Sequence, residues 1–156
     1  TRATLAFKTV LQTQSSLKYL EKSPRYIAKQ VLMLDNQMAE HDLNIDLISQ
    51  FSDKLLAQIT ATRSRKEMRD LEVVTLARVE LTNLVNEFRE LKRDEGIVDF
   101  ADQMRFALQL VKSHPEVVDQ LRNQYKAVLL DEYQDTSVIQ RLLLSEIFGQ
   151  PVPVRS

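Results

Sequence analysis

Val128-Leu129-Leu130-Asp131-Glu132-Tyr133-Gln134-Asp135-Thr136, VLLDEYQDT, runs an apolar tripeptide straight into three acidic residues within five positions. The stretch Lys126 to Leu130 is short, continuously apolar after its entry and flanked by charge, which reads as a β-strand buried on both faces. Adjacent carboxylates at the tip of such a strand repel each other and cost stability unless a cation or a basic group compensates. The cluster is therefore either a solvated strand end or half of a metal-dependent site.

A parallel-type strand needs neighbours on both edges, and no second convincing strand occurs in the 156 residues, so its sheet partners are expected outside this chain. In a phosphate-handling α/β sheet, ligands bind at the C-terminal ends of the strands, where Asp131 and Glu132 fall. There one carboxylate can hold Mg²⁺, usually through water, and the other can orient or deprotonate the water that attacks a γ-phosphate.

Around that strand the periodicity is helical. Phe7, Val10, Gln14, Leu17 and Leu20 follow helical spacing up to a break at Ser23-Pro24. Ile27, Val31, Leu34 and Met38 form a second apolar stripe, and Ile48, Phe51, Leu55 and Ile59 a third. Ser64 and Glu67 make a capping box for the longest helix, along which Val74, Ala77, Leu81, Leu84, Phe88 and Leu91 alternate by three and four as a heptad seam. Such a seam serves either as a coiled-coil partner surface or as the face of a long helix lying across its own neighbours; so few heptads favour the second. Gly96 closes the helix behind Lys92-Arg93. Asp99 is placed to cap a helix whose face carries Phe100, Met104, Ala107, Leu108 and Val111, with Asp102 as a solvated acid of its first turn. A short helix begins at His114-Pro115-Glu116. After the strand, Ser137 and Gln140 form a second capping box for a helix through Leu143, Leu144 and Ile147 that stops at Gly149 and Pro151.

Composition narrows the function classes. With 44% hydrophobic and 28% charged residues the chain carries a real core and no disorder signature. Net charge is −1, so nucleic-acid binding has to use a local patch, and Arg63, Arg65, Lys66 and Arg69 at the start of the long helix supply one. Cations there can touch phosphates without reading sequence, or form only a solvated basic turn, since they oppose the helix dipole and have no aromatic platform beside them. The absence of cysteine excludes disulfides and thiolate chemistry and agrees with a cytoplasmic location. No apolar run is long enough to span a membrane, so no membrane partner is expected. His41 and His114 are too far apart to suggest a metal site.

VLLDEYQDT followed by SVIQRLLLSEIFG closely resembles the Walker B segment, motif II, of UvrD/Rep/PcrA-type superfamily 1 DNA helicases. DFADQMRFALQLVKSHPEVVDQLRNQYKAVLLDEYQDT looks like the run in those enzymes that returns from a helical insertion into the first RecA-like domain, and SPRYIAKQVLMLDN is most similar to actinobacterial members. The resemblance implies a mostly α fold: a helical array of the subdomain 1B type over residues 1–96, then a single Walker B strand and its following helix, part of a P-loop RecA-like ATPase domain, over residues 97–156. It implies an ATP-dependent 3′→5′ DNA helicase or translocase using ATP and Mg²⁺. Its partners would be single-stranded DNA or a single/double-strand junction, together with the remaining helicase domains.

Carried over by residue, Asp131 is the Mg²⁺-associated carboxylate and Glu132 the catalytic base. Gln134 and Asp135 match the DExxQD pattern that couples the nucleotide site to DNA-dependent change. Asp99 and Asp102 match a DFxD segment without an assigned chemical step. The departures are as specific: no G-x-x-x-x-G-K-[ST] is present, and the chain stops at PVPVRS where the family continues towards motif III. An excised piece, inactive by itself, is the expectation. The reading from another class is a non-enzymatic helical interaction module whose seam binds a partner.

Overall fold

A computed structural model describes residues 1–61 and 66–149, with Lys66 and Glu67 described in their backbone only. Its regular elements are helices: α1 Arg2–Thr13, α2 Pro24–Glu40, α3 Ile45–Ala61, α4 Lys66–Asp94, α5 Phe100–Ser113, α6 Pro115–Gln124 and α7 Val138–Phe148, with 3-10 turns at Gln14–Ser16 and Tyr133–Asp135. No strand occurs among the described residues. The described residues divide into two compact units, one from Thr1–Met38 and Leu43–Val98, the other from Ala39–Asp42 and residues 99–149.

The first unit is built on α1, α2, α3 and α4. Leu5, Ala6 and Val10 of α1, Ile27, Ala28 and Val31 of α2, and Leu84, Val85 and Phe88 of α4 close one apolar core. The seam on α4 therefore divides. Leu84 and Phe88 are buried inside this unit, while Val74 is exposed. Within the core lies Asp35, 1% exposed, whose carboxylate accepts from Arg2 Nη2 at 2.8 Å and Arg89 Nε at 2.7 Å and has Lys92 Nζ at 3.9 Å. Lys92 and Arg2 also lie over the Phe88 ring, at 5.4 Å and 6.0 Å from its centroid. A buried charge persists only when paired and hydrogen-bonded, and Asp35 is both.

Two ends of this unit follow from backbone chemistry. Gly96 adopts φ +64°, its N–H bonds Arg93 O at 3.0 Å and the Ile97 N–H bonds Lys92 O at 2.8 Å, a Schellman closure of α4 as the glycine predicts. α1 ends at Thr13, earlier than its apolar spacing predicts, and Leu17 and Leu20 reach the core from an irregular connection. Thr13 and Ser16 turn their hydroxyls onto the carbonyls of Thr9 and Thr13. The freed N–H groups of Lys18, Tyr19 and Leu20 then donate to the Glu80 carboxylate of α4 at 2.7, 3.0 and 2.9 Å. A partner 60 residues away thus replaces the helix that local spacing favours.

The second unit packs α5, α6 and α7 around Leu108, Val111, Val118, Ile139 and Ile147. Both predicted N-termini are present: Asp99 and Asp102 form a reciprocal capping box on α5, as do Ser137 and Gln140 on α7. Asp102 is a correction, being buried and ion-paired with Arg105 one turn on rather than solvated. Phe100 is another, since it is exposed and lies off the packed face. The capping box expected at Ser64 and Glu67 lies outside the described residues.

Candidate functional site

Lys126–Leu130 is extended, but it is not the buried strand its composition suggests. Leu129 is 96% exposed and Val128 and Leu130 are exposed on either side. A strand is defined by its neighbour, and no backbone ladder partner faces this segment among the described residues. It leaves α6 at Tyr125, whose N–H closes onto Leu121 O at 2.8 Å, and runs beside α7. Val128, Leu130 and Tyr133 line a shallow apolar groove of about 270 Å³ with Leu144, Phe148 and Gly149.

Arg122 ties the far end of that arrangement. Its Nε donates to Ile147 O, and Nη2 reaches Gly149 O at 3.3 Å and Glu146 O at 3.4 Å. These are carbonyls that the last turn of a helix leaves without partners, and a cation there also compensates the negative end of the dipole. Gly149 follows because a Cβ would run into the Ser145 carbonyl oxygen.

The acidic residues emerge at the other end, one turn before α7. Asp131, Glu132, Gln134 and Asp135 are all exposed. Asp131 Oδ1 accepts the Glu132 N–H at 2.9 Å. Glu132 is left-handed, φ 50° and ψ 40°, a conformation that costs a non-glycine residue on the order of 1 kcal/mol. The turn is closed by the Asp135 N–H on Glu132 O at 2.9 Å and the Thr136 N–H on Tyr133 O at 3.1 Å. Gln134 Nε2 donates to Glu132 Oε2, so two of the motif's side chains are joined. The capped N-terminus of α7 follows at Ser137, where backbone N–H groups favour negative charge nearby.

Among the described residues no three His, Cys, Asp or Glu side chains converge on a ready-made metal cage. Mg²⁺ does not require one: it keeps several waters and takes one or two carboxylates alongside substrate phosphates. Asp131 suits that mode, because it is exposed and its bond to the Glu132 N–H uses only Oδ1.

The basic patch is only partly visible. Arg63 and Arg65 lie outside the described residues, as does the side chain of Lys66; Arg69 is exposed on α4. His114 Nδ1 lies 2.9 Å from Glu116 Oε1 at the start of α6. The Glu116 carboxyl is held below its ordinary range, first by its own backbone N–H and then by His114. No helix among the described residues is long and apolar enough to cross a membrane.

Sequence reasoning missed Arg122, Glu80 and the Asp35 cluster. An aspartate inside the apolar stripe of α2, between Val31 and Met38, was the available signal for the last. Nothing local marks the other two, whose partners are backbone atoms far along the chain.

Comparison with known proteins places these features in a lineage. The UvrD/REP helicase N-terminal domain family matches residues 4–152. An ATP-dependent helicase/nuclease subunit of Natranaerobius thermophilus is 34% identical over 100 residues, 61% of this chain and 8% of that protein. Its counterpart in Clostridium novyi is 31% identical over 110 residues, covering 68% and 9%. A Bacillus cereus counterpart is 31% identical over 142 residues, covering 83% and 11%. The chain thus spans about a tenth of the length of the curated relatives it matches. With nearly its whole length matched, this chain belongs to the UvrD/REP helicase N-terminal domain family.

Proposed function

We propose that this chain is a piece of an ATP-dependent DNA helicase or translocase of DNA repair or recombination, moving 3′→5′ in the cytoplasm, and that it contributes the Walker B carboxylates. The observation that carries the reading is the pairing of Asp131 and Glu132 at the exposed end of an extended apolar segment beside α7, in a chain of this family. Residues 1–96 are read as the helical insertion of the 1B type and 97–156 as part of a RecA-like domain. In the parent, Lys126–Leu130 becomes a strand when neighbouring strands take up its backbone groups, which also buries Leu129.

In that site Asp131 would hold Mg²⁺ through water, and the ion supplies charge neutralisation at the phosphates of ATP. Glu132 accepts a proton from the water whose oxygen bonds the γ-phosphorus, while the bond to the bridging oxygen breaks and its electron pair stays with ADP. The Gln134 amide orients the Glu132 carboxylate, and Asp135, at the end of the same turn, links it to DNA-dependent change. Arg63, Arg65, Lys66 and Arg69 contact DNA phosphates without reading sequence, on single strands or at a junction with duplex.

The test is a filter-binding and ATPase comparison in the full-length parent. Glu132→Gln should keep nucleotide and DNA binding and cut DNA-stimulated turnover by about two orders of magnitude, the scale for losing a general base. Asp131→Ala should weaken Mg²⁺-dependent nucleotide binding as well. Alanine at all four basic positions should weaken DNA retention, most at low salt. Wild-type turnover in Glu132→Gln would remove the Walker B assignment.

A further inference from the structure

The first unit carries an apolar groove of about 890 Å³, far larger than the one beside α7. Leu47 and Phe51, one turn apart on α3, form one ridge, and Val74, Ala77 and Leu81 on α4 form the other; Tyr19 and Tyr26 close the side. Leu47, Phe51 and Val74 are 59%, 58% and 56% exposed, a concentration of large apolar surface that a solvated face does not require. The groove is also pre-built. The Glu80 carboxylate pins the backbone of Lys18, Tyr19 and Leu20, and Tyr19 and Leu20 are part of its wall.

The α4 ridge is the unfinished half of the heptad seam. Leu84 and Phe88 find partners in the unit's own core, whereas Val74 and Ala77 continue the same three-four spacing into the open groove. Residues at that spacing accept a helix, ridge into groove. The backbone groups of α3 and α4 are bonded within their helices, so no sheet edge is offered to a strand. Aliphatic side chains supply half of the lining, beside the aromatic rings of Tyr19, Tyr26 and Phe51. Arg78 and Lys22 line the rim against one carboxylate, Glu21, and neither cation has a carboxylate partner among the described residues.

We propose that this groove seats an amphipathic helix of the same polypeptide, from outside residues 1–156, with apolar anchors at i, i+3 or i+4 and i+7 and a carboxylate flanking them to meet Arg78 and Lys22. The stretch matched is only about a tenth of the curated relatives' length, so most of such a polypeptide lies elsewhere. A tethered helix acts at roughly millimolar effective concentration and needs little intrinsic affinity to stay docked. The proposal rests on the parent being longer, and is independent of the roles given to Asp131 and Glu132.

A photo-crosslinking benzoylphenylalanine at Phe51 of the full-length parent tests it. The expected product migrates as a monomer and maps to one helix outside residues 1–156 with the stated anchors; Arg78→Glu diminishes its yield. Phe51→Ser should lower the parent's melting temperature by several degrees, while Leu11→Ser, comparably exposed on α1 and away from the groove, leaves it unchanged. Cross-links to DNA or to a second chain, or no cross-link with an unaltered melting temperature, would overturn it. Each of these outcomes can occur whether or not Glu132→Gln abolishes turnover, so the two readings fail separately.

Discussion

Replacing Asp35 by Asn tests whether the buried charge cluster holds the first unit together. The substitution keeps shape and one acceptor oxygen but removes the charge that faces Arg2, Arg89 and Lys92. Breaking a buried pair by removing one partner costs about 3–5 kcal/mol, because the other charge is left uncompensated. Two features reduce that here. Arg2 has 27% of its side chain exposed and recovers solvation, and Asn can still accept one of the short bonds. Lys92 gains nothing from solvent at 2% exposure, although it keeps the face of Phe88. A cost of about 2 kcal/mol remains, which for a unit of roughly a hundred residues lowers the melting temperature by about 8–16 °C. Thermal and urea denaturation followed by circular dichroism at 222 nm would read it. A melting temperature within about 2 °C of wild type for Asp35→Asn would show that water reaches the cluster and that its burial carries no energetic weight.

Two further outcomes follow from the second unit. Arg122→Met keeps the stem but removes the donors to the carbonyls of Glu146, Ile147 and Gly149. It should cost about 1–2 kcal/mol and accelerate amide hydrogen exchange at Gly149, whose N–H bonds Ser145 O at 2.7 Å; unchanged exchange there would remove Arg122 from the cap. Glu116, fully exposed, has a carboxyl lowered from its ordinary 4.5 by its own backbone N–H and by His114. A lowered folded value means the contact's stabilisation is complete above the unfolded value and is lost as pH falls through the folded one. An NMR titration should place the Glu116 midpoint below 4.5 and His114→Ala should raise it; a midpoint at or above 4.5 in the wild type would refute the contact.

Helix positions and ends were legible where the signal is local. Asp99, Ser137 and Gly96 each act through atoms within a few residues, and each caps as its chemistry predicts. The early end of α1 was not legible, because Glu80 accepts three N–H groups from about 60 residues away. Asp35 and Asp102 were harder still, since an aspartate reads as solvated until its cations are in place. For the candidate site, apolar spacing located Lys126–Leu130 but could not make it a strand, which is a property of a pair. The roles of Asp131 and Glu132 came from resemblance, and the geometry added that Gln134 bonds Glu132 and that Glu132 is left-handed.

The bare segment from Lys126 to Leu130 has a consequence for how such a protein survives its own synthesis. An extended apolar run with no backbone ladder partner among the described residues and a 96% exposed leucine is a template for cross-β association. Here it is bracketed by Lys126 on one side and by Asp131, Glu132 and Asp135 on the other. Charges so placed are gatekeepers that keep copies apart. The carboxylates proposed for ATP chemistry would then act earlier in the molecule's life as its guard against aggregation. Neutralising them for an enzymatic experiment removes that guard as well, so solubility should be measured beside turnover in every such variant.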